Sequence, residues 1–179
     1  MAMTLITTNS GSNVSASSFT SGIDSTYKLY IFKFISINAA SQVNFGFQCN
    51  ATDSTSYDET ITSTAFWSVN TEDGDDKGLA YVAGNDQAQG TALQDLATEM
   101  NTDADASAVG ELFLFNPSST TYVKHWYSRL QNAYDNGTDH YSTDNYRAGY
   151  INTTTAIDDI KFYMASGNMD AVIKMYGVG

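Results

Sequence analysis

Apolar and polar residues alternate with a period of two along most of this chain. From Tyr27 to Ile37, Leu29, Ile31, Ile35 and Ile37 share one side, and Tyr30, Phe32 and Phe34 share the other. A strand here is apolar on both faces and needs cover on both. Val43–Cys49 repeats the alternation with Val43, Phe45, Phe47 and Cys49 on one face, and Val109–Phe115 and Val172–Tyr176 follow suit. Thr60–Val69, Leu79–Val82, Thr120–Leu130, Tyr146–Asn152 and Ile157–Met164 read as further strands, and Met3–Thr8 as a short first one. Asn116-Pro117-Ser118-Ser119 holds the only proline and turns the chain between two strands. Near the end, two apolar-rich segments flank Ser166-Gly167-Asn168, which predicts a β-hairpin whose last strand belongs to the body of the domain.

Two stretches depart from this pattern. Asn9–Ser18 is rich in Ser, Gly and Asn and reads as a linker, so that residues 1–18 form an extended N-terminal arm. Between Gln87 and Met100, residues Ala92, Leu93, Leu96, Ala97 and Met100 lie near helical spacing and predict one short helix. The whole reads as all-β: a single-domain, jelly-roll-like β-sandwich of about nine to eleven strands with at most one or two short helices.

A length of 179 residues fits one domain and suffices to bury a core without metal or disulfide staples. Twenty acidic residues against eight basic ones leave a net charge of -12, a field that repels phosphate backbones and argues against nucleic acid as a partner. The start of the chain has neither a basic segment nor an apolar core of a secretory signal, and no apolar run has the length of a membrane span. Cys49 is the only cysteine, which excludes an intramolecular disulfide, and its place in an alternating strand predicts a buried, inert thiol.

Chemistry-bearing motifs are few. Asn101, Asp103 and Asp105 open like a calcium loop, but Ala106 stands where that loop needs glycine and Leu112 where it needs glutamate. Glu72-Asp73-Gly74-Asp75-Asp76 concentrates carboxylates without a carbonyl-rich frame, so both loops read as solvated. His125 and His140 fall in no zinc-ligand spacing, and no nucleophile elbow or phosphate-binding glycine loop occurs. The chain therefore reads as non-enzymatic, with no catalytic residue, cofactor or metal. Trp126, Tyr127, Tyr134, Tyr141, Tyr146 and Tyr150 form the densest aromatic region. They suit either a platform for sugar rings or cross-strand packing and oligomer contact, and the second is favoured.

Three segments carry a resemblance: Phe19-Thr20-Ser21-Gly22-Ile23-Asp24-Ser25-Thr26-Tyr27, Phe115-Asn116-Pro117-Ser118-Ser119-Thr120-Thr121-Tyr122-Val123-Lys124-His125, and Ile151–Ile157 together with Ser166-Gly167-Asn168 to Lys174-Met175-Tyr176-Gly177. They resemble small virion structural proteins of tailed phages that infect marine bacteria. The resemblance implies a particle component on the virion surface, made in the host cytoplasm. Its expected form is a head decoration (cement) protein bound to the major capsid protein, or alternatively a tail- or fibre-associated module that binds host-surface glycans. It transfers no site residues. By analogy with parts at three-fold and six-fold particle positions, a homotrimer is the expected assembly.

Overall fold

A computed structural model describes residues Ala2 to Gly179. Thirteen strands follow one another: β1 (Met3–Val14), β2 (Ser17–Phe19), β3 (Leu29–Ala39), β4 (Phe45–Ala51), β5 (Ile61–Thr71), β6 (Lys77–Tyr81), β7 (Ala88–Gly90), β8 (Gln94–Ala97), β9 (Ala108–Phe115), β10 (Lys124–Asp135), β11 (His140–Ile151), β12 (Ile157–Met164) and β13 (Met169–Val178). A nine-stranded sheet runs in the order β1-β13-β3-β9-β10-β11-β5-β6, with β7 also paired to β5. A four-stranded sheet, β2-β12-β4-β8, packs over it from the terminal strand β1, against which β2 lies, to β10 and β11, against which β8 lies. Every pairing is antiparallel. The protein is an all-β sandwich in a single domain, as the two-residue alternation predicts; the strands beyond the expected number are the short β2, β7 and β8.

The core forms where the two sheets face each other. Phe32 and Phe34 of the large sheet meet Phe19, Phe45 and Phe162 of the small one, all fully or nearly fully buried. Tyr30, Phe32 and Phe34 point inward along the first part of β3. A register shift between Phe34 and Ile37 then swaps the parity, so that Ile37 and Ala39 are buried while Ile35 is left half exposed. Cys49 is fully buried in the same core, and burial pushes its thiol well above the ordinary range.

Three local expectations change. Ile160–Tyr176 is no hairpin: β12 pairs with β2 and β4 in the small sheet, whereas β13 pairs with β1 and β3 in the large one. The turn at Gly167, in the left-handed region at φ 76°, carries the chain across the core. Both segments present apolar residues inward, and alternation reads the same for a hairpin and for this arch. No helix forms at Gln87–Met100, which is occupied by β7 and β8. Leu96 and Ala97 are both fully buried because a register shift breaks the β4–β8 ladder beside them. The linker-like Asn9–Val14 is the second half of β1, held by the ladder from Asn9↔Ile173 to Val14↔Met169.

Candidate docking face

The side of the large sheet that faces away from the small sheet is the most distinctive surface of the molecule. Residues directly opposite in an antiparallel ladder point to the same side, so the strand registers assign each side chain to a face. One row crosses the sheet as Leu5, Tyr176, Ile31, Phe113, Tyr127 and Ala148. A second runs Lys33, Glu111, Arg129, Tyr146, Phe66 and Tyr81. Nine large hydrophobic side chains are exposed among the described residues. Eight lie on this face: Met3, Leu5 and Tyr127 in its first rows, Phe66 and Tyr81 in the next, and Ile35, Val109 and Leu79 beyond. The ninth, Tyr122, is in the loop before β10.

Neighbouring rings on this face lie flat against each other. Phe113 and Tyr127 stack with centroids 4.6 Å apart and planes 16° from parallel, and Phe66 and Tyr146 at 4.8 Å and 6°. The charges between them are paired within the face. Lys33 Nζ donates to Glu111 Oε2. Arg129 holds Asp144 with two parallel bonds, Nε to Oδ1 at 3.0 Å and Nη2 to Oδ2 at 2.7 Å, and Tyr146 Oη donates to the same carboxylate at 2.8 Å. Burial alone raises the Asp144 pKa; the bonds from Arg129 and Tyr146 outweigh it, and the group ends below its ordinary value. The Arg129 guanidinium also lies 5.2 Å from the Tyr146 ring centroid, a cation–π distance. Ion pairs already formed within a surface reduce the cost of desolvating it against a partner.

The six aromatic residues singled out in the sequence divide between the two sides of the sheet. Tyr127, Tyr146 and Tyr150 surround the small side chain of Ala148 on the outer face, Tyr127 across the ladder and the two others two residues away along β11. His125 and Phe115 complete this shallow cleft, and the His125 and Tyr150 rings are 6.1 Å apart. Trp126 points the opposite way, is 2% exposed, and meets Phe47 edge-on at 5.0 Å. Tyr134 and Tyr141 also lie on the inner side, paired at 5.3 Å near the far end of β10 and β11. Burial, reinforced by Glu99, pushes Tyr134 up to about 12.

The two acidic loops come together. Glu72, Asn101, Asp103 and Asp105 line one cleft with His140 and Tyr141. Asn101 is turned onto its own loop: its Nδ2 donates to Asp103 Oδ2 and its Oδ1 accepts from Asp103 N. Among the described residues no three carboxylate, imidazole or thiol groups converge to hold a metal ion.

A polar cluster inside the sandwich has no counterpart in the sequence reading. Arg147 is 2% exposed; it donates from Nη1 to Phe66 O at 2.7 Å and from Nη2 to Thr98 Oγ1 at 3.0 Å and Asn145 Oδ1 at 3.1 Å. Thr98 donates on to Asn85, whose Nδ2 reaches Asp95 Oδ2 at 2.7 Å. Burial draws Arg147 down to about 10, with Asp95 opposing the shift, and burial raises Asp95. The cluster ties β11 to the segment that covers it. Comparison with protein-family models, with curated proteins and with solved structures finds no match.

Proposed function

We propose that this protein is a non-enzymatic structural component of a phage particle, a head decoration protein that docks on the capsid surface through the outer face of its large sheet. The observation that carries the reading is the gathering of eight of nine exposed large hydrophobic side chains on that one face. Apolar side chains scattered singly over a surface need no explanation, whereas a contiguous set marks an interaction site. Stacked rings lie level on neighbouring strands, and Lys33–Glu111 and Arg129–Asp144 are paired within the face, which leaves Lys174 beside Lys33 as a cation in a chain of net charge -12. Such a face suits another broad protein surface better than a pocket-bound metabolite. The phage assignment itself rests on the resemblance of the three segments.

Immunogold labelling of purified particles, with gel densitometry against the major capsid protein, tests this reading. Gold over the heads and a copy number close to that of the shell subunit are expected. Label confined to the tail, or only a few copies per particle, overturns it. Docking is separately tested by adding back Leu79→Lys and Tyr127→Glu variants to particles stripped of the protein; both are expected to lose rebinding.

A second reading draws on the cleft over Ala148. Tyr127 and Tyr150 beside a small floor resemble a stacking platform for a pyranose ring, as a tail-associated module binding host glycans would need. Retention on host-surface polysaccharide that Tyr150→Ala abolishes supports it, and the same elution with and without the polysaccharide excludes it.

A further inference from the structure

The chain contains no Asp, Glu, Lys or Arg before Asp24, although its net charge is -12. This uncharged stretch includes all of β1, the terminal strand of the large sheet, twelve residues long and paired only with β13. Strand edges are ordinarily guarded by shortness, charge, proline or bulges. The other terminal strand, β6, has five residues, carries Lys77 and follows directly on the acidic loop Glu72–Asp76. In the small sheet, β2 has three residues, one of whose carbonyls, Ser18 O, accepts from Asn9, and β8 has four and carries Asp95. β1 has neither charge nor proline. Its guards are register shifts between Leu5 and Thr7 and between Gly11 and Val14, with Asn13 in the left-handed region at φ 55°. The five residues Thr7–Gly11 between them stay in regular register with β13. Beyond that ladder, β1 is bonded at its far end, where Ser12 Oγ and Asn13 N donate to Asp170 Oδ1 and Asn168 donates back to Asn13.

We infer that the free edge of β1 pairs antiparallel with β1 of a second copy, joining two large sheets into one across a two-fold axis within Thr7–Gly11. The occupant is a second copy because of charge. Two molecules of -12 repel wherever their acidic loops meet, and β1 is the one long edge at which they approach without opposed charge. An isologous contact needs a self-complementary surface, and antiparallel pairing of one uncharged strand with itself supplies it. Half of the backbone N–H and C=O groups of Thr7–Gly11 face away from β13, and the pairing satisfies them. With the axis at Asn9, Thr8 of each copy comes opposite Ser10 of the other on the outer face, a favourable cross-strand pairing of hydroxyls. Met3 and Leu5, at the margin of the docking face in one copy, then lie inside a face shared by two. An edge pair of this kind closes with two copies, so it favours a two-fold assembly over the three-fold one expected by analogy.

Sedimentation equilibrium of the purified protein over a wide concentration range tests the inference without any particle present, so its failure leaves the docking reading untouched. A reversible dimer is expected. Thr8→Lys sets two cations near the axis, each opposite Lys174 of its own copy, and should weaken dimerisation by about tenfold or more, whereas Tyr122→Lys, which adds the same charge in a loop, should not. Circular dichroism on the same samples confirms that Thr8→Lys keeps its strands. Since Cys49 is buried, a cysteine placed in turn at Thr7, Thr8, Asn9 and Ser10 reports alone, and disulfide formation should peak at the position on the axis. A monomer at every concentration overturns the inference. So does a dimer that Thr8→Lys leaves intact and that cross-links at none of these positions.

Discussion

Both faces of the large sheet are rich in aromatic rings, and the rings meet in opposite ways. On the inner face they interlock with rings from the facing sheet nearly at right angles: Phe34 with Phe162 at 5.1 Å and 78°, Phe34 with Phe45 at 5.4 Å and 85°, Phe47 with Trp126 at 5.0 Å and 84°. On the outer face Phe113 with Tyr127 and Phe66 with Tyr146 stack almost parallel as neighbours on adjacent strands, while His125 and Tyr150 tilt at 59°. Edge-to-face packing fills a volume from two sides, as a dry core demands; cross-strand stacking leaves a level surface with water on one side. The same residue types therefore hold the fold together on one face and leave the other free for a partner.

The largest effect that can break this comparison is a truncation inside. Phe162 touches Phe19, Phe32, Phe34, Phe45 and Phe47, so Phe162→Ala should cost about 3–5 kcal/mol in urea unfolding. Next comes the polar part of the inner face. Arg147→Ala strips a charged donor from Phe66 O, Thr98 and Asn145, which are enclosed with it, and should cost about 2–4 kcal/mol in the same measurement. Outside, Tyr127→Ala removes a stacked ring that is 45% exposed and should cost about 1 kcal/mol or less. If its loss equals that of Phe162→Ala, the outer face is part of the structural core and the distinction collapses.

The smallest effect is a pH dependence. Burial raises the folded pKa of Asp95 above its unfolded value of about 3.8, with Asn85 and Asn44 opposing the shift, so the native state binds the proton first. Relative to Asp95→Asn, the wild type should gain stability as pH falls through that raised value and lose it as pH rises again. The full gain should be present below the unfolded value. Paired thermal unfolding curves across the acidic range measure it, and a constant difference between the two proteins contradicts a desolvated Asp95.

Most strands are legible because a strand buried on one side must alternate, as β10, β12 and β13 do, while the alternation of residue types in β3 and β4 marks strands with buried positions on both faces. Asn9–Val14 is not legible: a strand of Thr, Ser, Asn and Gly has the composition of a linker until a neighbour supplies its ladder. Gln87–Met100 misleads because a register shift buries two adjacent residues, Leu96 and Ala97, as a helix would. Of the aromatic residues proposed for a surface platform, Tyr127, Tyr146 and Tyr150 share the outer face, and Trp126 lies in the core. The odd and even positions of β10 are both aromatic, so parity alone does not say which side is dry. Arg147 is the clearest omission, since a lone arginine among tyrosines on a strand reads as exposed, and only the segment folded over β11 buries it.

The sequence by itself determined the all-β class, the strand-rich interior, the burial of Cys49 and the uncharged stretch ahead of Asp24. Each follows from local periodicity or composition, which no later contact alters. Tertiary structure alone decided that β12 and β13 belong to different sheets, which face of the large sheet is covered, and which strand ends as a free edge. Those outcomes depend on which distant segments meet. A strand's alternation records that one of its sides is apolar and does not record what will lie against it.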